Sequence, residues 1–173
     1  MVYINRIIEK RILEISNSYP VVMVCGQRQV GKSTMLNHIK EDNRKYVSLD
    51  DRNARRLASE DPDLFFDTYG YPILIDEFQK EPQILEKIKD IVDKLGYEGK
   101  NNNGLFWLTG SQKFKMMKNI TESLAGRVAV FELSGLSQAE LLGNNYGIFN
   151  PDINFLKSKK TIPLSVHEVY KRI

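Results

Sequence analysis

Gly26-Gln27-Arg28-Gln29-Val30-Gly31-Lys32-Ser33 has the spacing G-x-x-x-x-G-K-[ST], which suits a loop that holds phosphate. The glycines let the backbone fold tightly and turn its N–H groups onto phosphate oxygens. Lys32 is placed to reach the β- and γ-phosphates, and the Ser33 hydroxyl to coordinate Mg²⁺. A helix opening at Lys32 and running through Thr34 adds its positive dipole end. Arg28 is expected to face solvent or a partner.

A second run, Tyr71-Pro72-Ile73-Leu74-Ile75-Asp76-Glu77, is an apolar strand that ends in two carboxylates. The chemistry expected of such a pair is division of labour. Asp76 holds the Mg²⁺, and Glu77 orients and deprotonates an attacking water. The alternative is a helix cap before Pro82. A Glu after the Asp favours nucleotide hydrolysis over small-molecule phosphotransfer. Leu105-Phe106-Trp107-Leu108-Thr109-Gly110-Ser111 is a further apolar run with a polar end. Ser111, ahead of Thr109, is the candidate to touch the γ-phosphate or the water; otherwise Ser111 caps the next helix. Arg127 is a candidate arginine finger, or else a surface Arg or a structural salt bridge. Asp50 and Asp51 are expected to cap or hold a loop. Cys25 is expected to be a small buried hydrophobe.

These residues need elements to position them. Ile4, Ile7, Ile8, Ile12 and Ile15 recur at helical spacing and predict a helix over 4–16. Short apolar runs predict strands at 21–25, 46–49, 73–75, 105–108 and 128–133. Helices are expected at 32–40, across 54–69 with a break or a second helix start at Pro62, from Pro82 to a stop at Gly96, and at 114–124. Ser137 with Glu140 has capping-box spacing. Strands alternating with helices predict a mostly parallel α/β sheet, whose ligands bind at the carboxyl ends of its strands. The polar candidates, Arg127 apart, follow predicted strands.

Composition narrows the class. The 173 residues suit one domain plus a surplus of about twenty. The net charge of +3 is too small for a protein that coats nucleic acid. One Cys and two His leave no disulfide and little for a Cys/His metal site. No apolar run is long enough to span a bilayer, and no signal peptide is legible. The expected place is the cytoplasm.

Gly26 to Thr34, Ile75-Asp76-Glu77-Phe78-Gln79, Leu108 to Ser111 and Ser123-Leu124-Ala125-Gly126-Arg127 together resemble the AAA+-type ATPases common in archaea and bacteria. In that group an AAA domain precedes a poorly characterised C-terminal domain, sometimes described as nuclease-like. The resemblance runs from about Tyr3 to Leu142. It implies a P-loop NTPase three-layer sandwich with a five-stranded parallel sheet, the Ser111 strand lying between the Lys32 and Asp76 strands. It implies ATP with Mg²⁺, bound by Gly26, Gln27, Arg28, Gln29, Val30, Gly31, Lys32, Ser33 and Thr34. It also implies that Arg127 acts across a subunit interface, which makes the active form a homo-oligomer. ATP over GTP rests on the resemblance, although no guanine-specific Asn-Lys-x-Asp run occurs.

The leading expectation is an ATPase module driving an attached domain or partner, with residues 1–146 as its core. The alternatives are a nucleotide-operated switch with negligible turnover, or the ATPase of a DNA-directed system. Lysines 113, 115 and 118, and 157, 159 and 160, motivate the last. Residues 147–173 read as a linker, and Ser165 with Glu168 as the opening of a helix belonging to a following domain in a longer protein.

Overall fold

The computed structural model describes residues 3–111, 123–141 and 143. The chain divides into the units Met1–Gly143 and Asn144–Ile173, and the sheet with its helices lies in the first. The helix expected at 114–124, apart from its last two residues, both lysine clusters and the 147–173 tail lie outside the described residues.

Five strands form one parallel sheet: β1 (Val21–Cys25), β2 (Lys45–Ser48), β3 (Ile73–Asp76), β4 (Phe106–Gly110) and β5 (Val128–Glu132). Their order is β2-β3-β4-β1-β5, with β4 between β1 and β3 as the resemblance implies. The helices are α1 (Glu9–Ser16), α2 (Lys32–Ile39), α3 (Arg52–Glu60), α4 (Pro62–Tyr69), α5 (Ile84–Tyr97) and α6 (Gln138–Leu141). A 3₁₀ turn, Phe78–Lys80, follows β3.

The period-two geometry of a strand sends alternate side chains to opposite faces. Val21, Met23 and Cys25 enter a core with Phe65, Ile88 and Leu124. Val22 and Val24 enter another with Ile12, Met35, Leu36 and Trp107. All five β1 residues are buried, which is why this run reads as unbroken hydrophobicity. The result is a helix–sheet–helix sandwich.

Boundaries follow local chemistry. Asp61 caps α4 through the Leu64 N–H, and Pro62 opens the helix, so Pro62 marks the start of a second helix. Asp51 caps α3 through Asn53 and Ala54. Ser137 and Glu140 form the expected reciprocal box: Glu140 N donates to Ser137 Oγ at 3.2 Å and Ser137 N to Glu140 Oε2 at 2.7 Å.

Helix α1 starts at Glu9 rather than Ile4. Residues 4–8 are diverted by Arg6, which is 8% exposed. Arg6 donates to Glu140 Oε1, to the Val30 carbonyl at 3.0 Å and to the Ser134 carbonyl at 2.7 Å.

Candidate active site

The loop after β1 is shaped by two glycines. Gly26 has φ +149°, and a Cβ there would lie 2.1 Å from the Leu133 carbonyl oxygen. Only glycine lets the chain leave β1 against the backbone that follows β5. Gly31, at φ 91°, is the N-cap of α2 and offers no capping side chain. The first N–H groups of α2 therefore have no side-chain acceptor, which is the arrangement that favours an anion. Gln27, Arg28, Gln29 and Thr34 are exposed, and Val30 is half-buried. The Lys32 side chain is buried and curls over the loop, its Nζ donating to Gln27 O at 2.7 Å and Gly26 O at 3.1 Å. A buried ammonium needs such partners.

Asp76 is the hub of the site. Its Oδ1 accepts from Ser33 Oγ at 2.7 Å and from Thr109 Oγ1. Its Oδ2 accepts from Tyr46 OH at 3.0 Å. Burial, with the negative charge and hydrogen bond of Asp76, pushes the Tyr46 hydroxyl up to about 12. Tyr46 thus remains a donor throughout the neutral range. The Ser33 hydroxyl and the Asp76 carboxylate are adjacent hard oxygen donors, the ligand chemistry that Mg²⁺ takes beside substrate phosphates. The residues fit that ion.

Glu77 adopts a left-handed backbone, φ 55° and ψ 39°, uncommon for Glu. It turns the chain out of β3 into the 3₁₀ turn. Its Oε2 accepts from Gln79 Nε2, which also donates to Ser111 Oγ at 3.3 Å. Parallel pairing of β1, β4 and β3 brings Lys32, Ser33, Asp76, Glu77, Thr109 and Ser111 to one end of the sheet.

Arg127 is not brought together with them. It precedes β5, and its carbonyl accepts from the Val21 N–H at the start of β1. The five residues of β1 separate it from Gly26 by about 16 Å of strand rise. Its guanidinium pairs with Asp93 at 2.6 and 2.9 Å and donates to Ala125 O at 3.0 Å. It lines an open groove of about 470 Å³ with Asp93, Tyr97 and Asn102. Asp50 pairs with Lys80, and Cys25 is buried, its Sγ against the Phe131 carbonyl at 3.3 Å.

Sequence reasoning missed Tyr46, Gln79 and Arg6 as groups around the site. Gln79 lies within the segment that carries the resemblance, so its position was visible although its contact was not.

A five-stranded parallel sheet of order β2-β3-β4-β1-β5 with a G-x-x-x-x-G-K-S loop after β1 is a P-loop NTPase-like AAA fold. The AAA domain matches residues 18–142, and the chain belongs to that family. Family members generally bind nucleotide. The uncharacterised proteins Mb2031c of Mycobacterium bovis and Rv2008c of Mycobacterium tuberculosis are each 35% identical to it over 121 residues, 68% of this chain and 26% of theirs. The chain therefore spans about a quarter of the length of these relatives. The crystal structure of Saccharomyces cerevisiae RIF2 aligns with a TM-score of 0.38 and 15% identity, over 87% of this chain and 65% of that one. No helix among the described residues is long and apolar enough to cross a membrane.

Proposed function

We propose that the chain is an Mg²⁺-dependent ATPase module. The observation that carries this reading is the hydrogen-bonded set at one sheet end: Ser33 on Asp76 beside Lys32, with Glu77 linked to Ser111 through Gln79. The loop N–H groups from Gly26 to Thr34 cradle the phosphates, and Lys32 turns from its loop carbonyls onto the β- and γ-phosphates. Ser33 and Asp76 would hold Mg²⁺, which would supply neutralisation of phosphate charge. Glu77 takes a proton from water as the water oxygen bonds to the γ-phosphorus. The bond from that phosphorus to the β-bridging oxygen breaks, and ADP leaves with the electron pair. Ser111 donates to a γ-phosphate oxygen. Arg127 completes a neighbouring subunit's site in a homo-oligomer. Residues 1–146 form the motor unit, which drives an attached domain or a protein partner in the cytoplasm.

ATP binding and turnover in the wild type and in Glu77→Gln test the assignment. The variant is expected to bind ATP with unchanged affinity and to lose turnover by about 10²–10⁴-fold, the span of general-base catalysis. Equal turnover in the two proteins removes Glu77 from the mechanism.

A further inference from the structure

The reaction just described uses Glu77 and Ser111 but gives no task to the side chain that joins them. The Gln79 amide carries two hydrogens, one bonded to Glu77 Oε2 and the other to Ser111 Oγ. Its orientation is set by those neighbours, because the reversed amide would press Oε1 against a carboxylate. With its acceptor role filled by Gln79, the Ser111 hydroxyl keeps its own hydrogen for an anion. Glu77 keeps Oε1 for a water.

The remaining atom is the informative one. Gln79 Oε1 is buried and has no hydrogen-bond partner among the described residues. A buried acceptor is matched only by a donor. The fully ionised phosphates of a nucleoside triphosphate offer none, whereas the attacking water offers two O–H groups. We propose that Gln79 is a water-positioning residue. The water donates one hydrogen bond to Glu77 Oε1 and the other to Gln79 Oε1, which turns its lone pair toward the γ-phosphorus. The same amide holds the Ser111 hydroxyl toward the γ-phosphate, so one side chain sets the nucleophile and its target in register. Gln79 exchanges no proton; the proton passes to Glu77 alone. This assignment rests on the ATPase reading above.

The test uses the 173-residue chain with Gln79→Met, which keeps length without donor or acceptor, and Gln79→Glu, which keeps an acceptor but sets a second carboxylate against Glu77. The measurements are ATP affinity, kcat and KM, and the tightness of ADP with aluminium fluoride relative to ADP alone. Both variants are expected to bind ATP within about threefold of wild type, to lose about ten- to a hundredfold in kcat with KM unmoved, and to lose the preference for the fluoride analogue. Wild-type kcat and analogue preference in either folded variant overturn the proposal. A wild-type protein that shows neither ATP turnover above background nor any analogue preference overturns the ATPase reading and this one with it. A wild-type preference that persists in Gln79→Met overturns the Gln79 assignment alone.

Discussion

At the scale of single residues the site is a problem in oxygen accounting. Asp76 is 7% exposed and accepts hydroxyls from Ser33, Thr109 and Tyr46. Three donors compensate much of the cost of burying a carboxylate. Thr109 is itself fully buried, and its hydroxyl donates to Asp76 Oδ1. Thr109→Val preserves shape and removes one donor to a charged acceptor. It is expected to cost about 2 kcal/mol in denaturant unfolding and to weaken Mg²⁺ dependence, read from the metal titration of ATPase activity. Tyr46→Phe, on a half-exposed edge-strand residue, is expected to cost less, about 1 kcal/mol. Equal stability in wild type and Thr109→Val would mean that Asp76 is held by the other two groups. The loop and the acid pair were legible because their chemistry is written in contiguous residues. Tyr46 was not, because nothing local says that β2 lies beside β3.

At the scale of elements, what reads clearly is what repeats with a period. The apolar runs became strands, and the capping residues Asp51, Asp61 and Ser137 opened helices where their hydrogen-bonding capacity demanded. Residues 4–8 have helical spacing too, yet tertiary contacts of Arg6 override it. That guanidinium ties the N-terminal segment to the phosphate loop at Val30 and to the segment after β5 at Ser134 and Glu140. Burial opposes ionisation of Glu140, but N–H groups of Ser137 and Ile7, and Arg6, outweigh it and lower the carboxyl from 4.5 to about 2. A carboxyl lowered on folding stabilises the fold above its ordinary value. That stabilisation fades as pH falls from 4.5 toward about 2. Glu140→Gln is therefore expected to be less stable at pH 7 by about 2 kcal/mol, since the buried Arg6 charge loses its counterion. The gap between variant and wild type is expected to close as pH falls through that window, followed by urea unfolding at stepped pH. A gap independent of pH would mean that the clamp acts through packing alone.

At the scale of the whole molecule, a parallel sheet has two functionally different ends. The carboxyl end gathers the phosphate loop, Asp76, Glu77 and Ser111, while Arg127 stands at the other end, paired with Asp93. The sequence already carried this separation, because Arg127 precedes the fifth predicted strand, and in a parallel sheet the residue before a strand lies at the amino end. Within one chain, about 16 Å of strand forbids a finger role. In the proposed homo-oligomer the same position would be an asset, since a head-to-tail contact would set one subunit's amino end against its neighbour's carboxyl end. The Arg127–Asp93 pair is about one-third exposed and holds the guanidinium for about 1 kcal/mol or less, little enough for a phosphate to compete. Arg127→Ala is expected to keep ATP affinity and to lose turnover by about 10³-fold. Mixed in equal amounts with Glu77→Gln, it is expected to recover activity, because one variant supplies the base and the other the arginine. That recovery, with specific activity rising with protein concentration in the wild type, is the signature of action in trans. Turnover of the mixture no higher than that of the separate variants would leave Arg127 as the structural partner of Asp93.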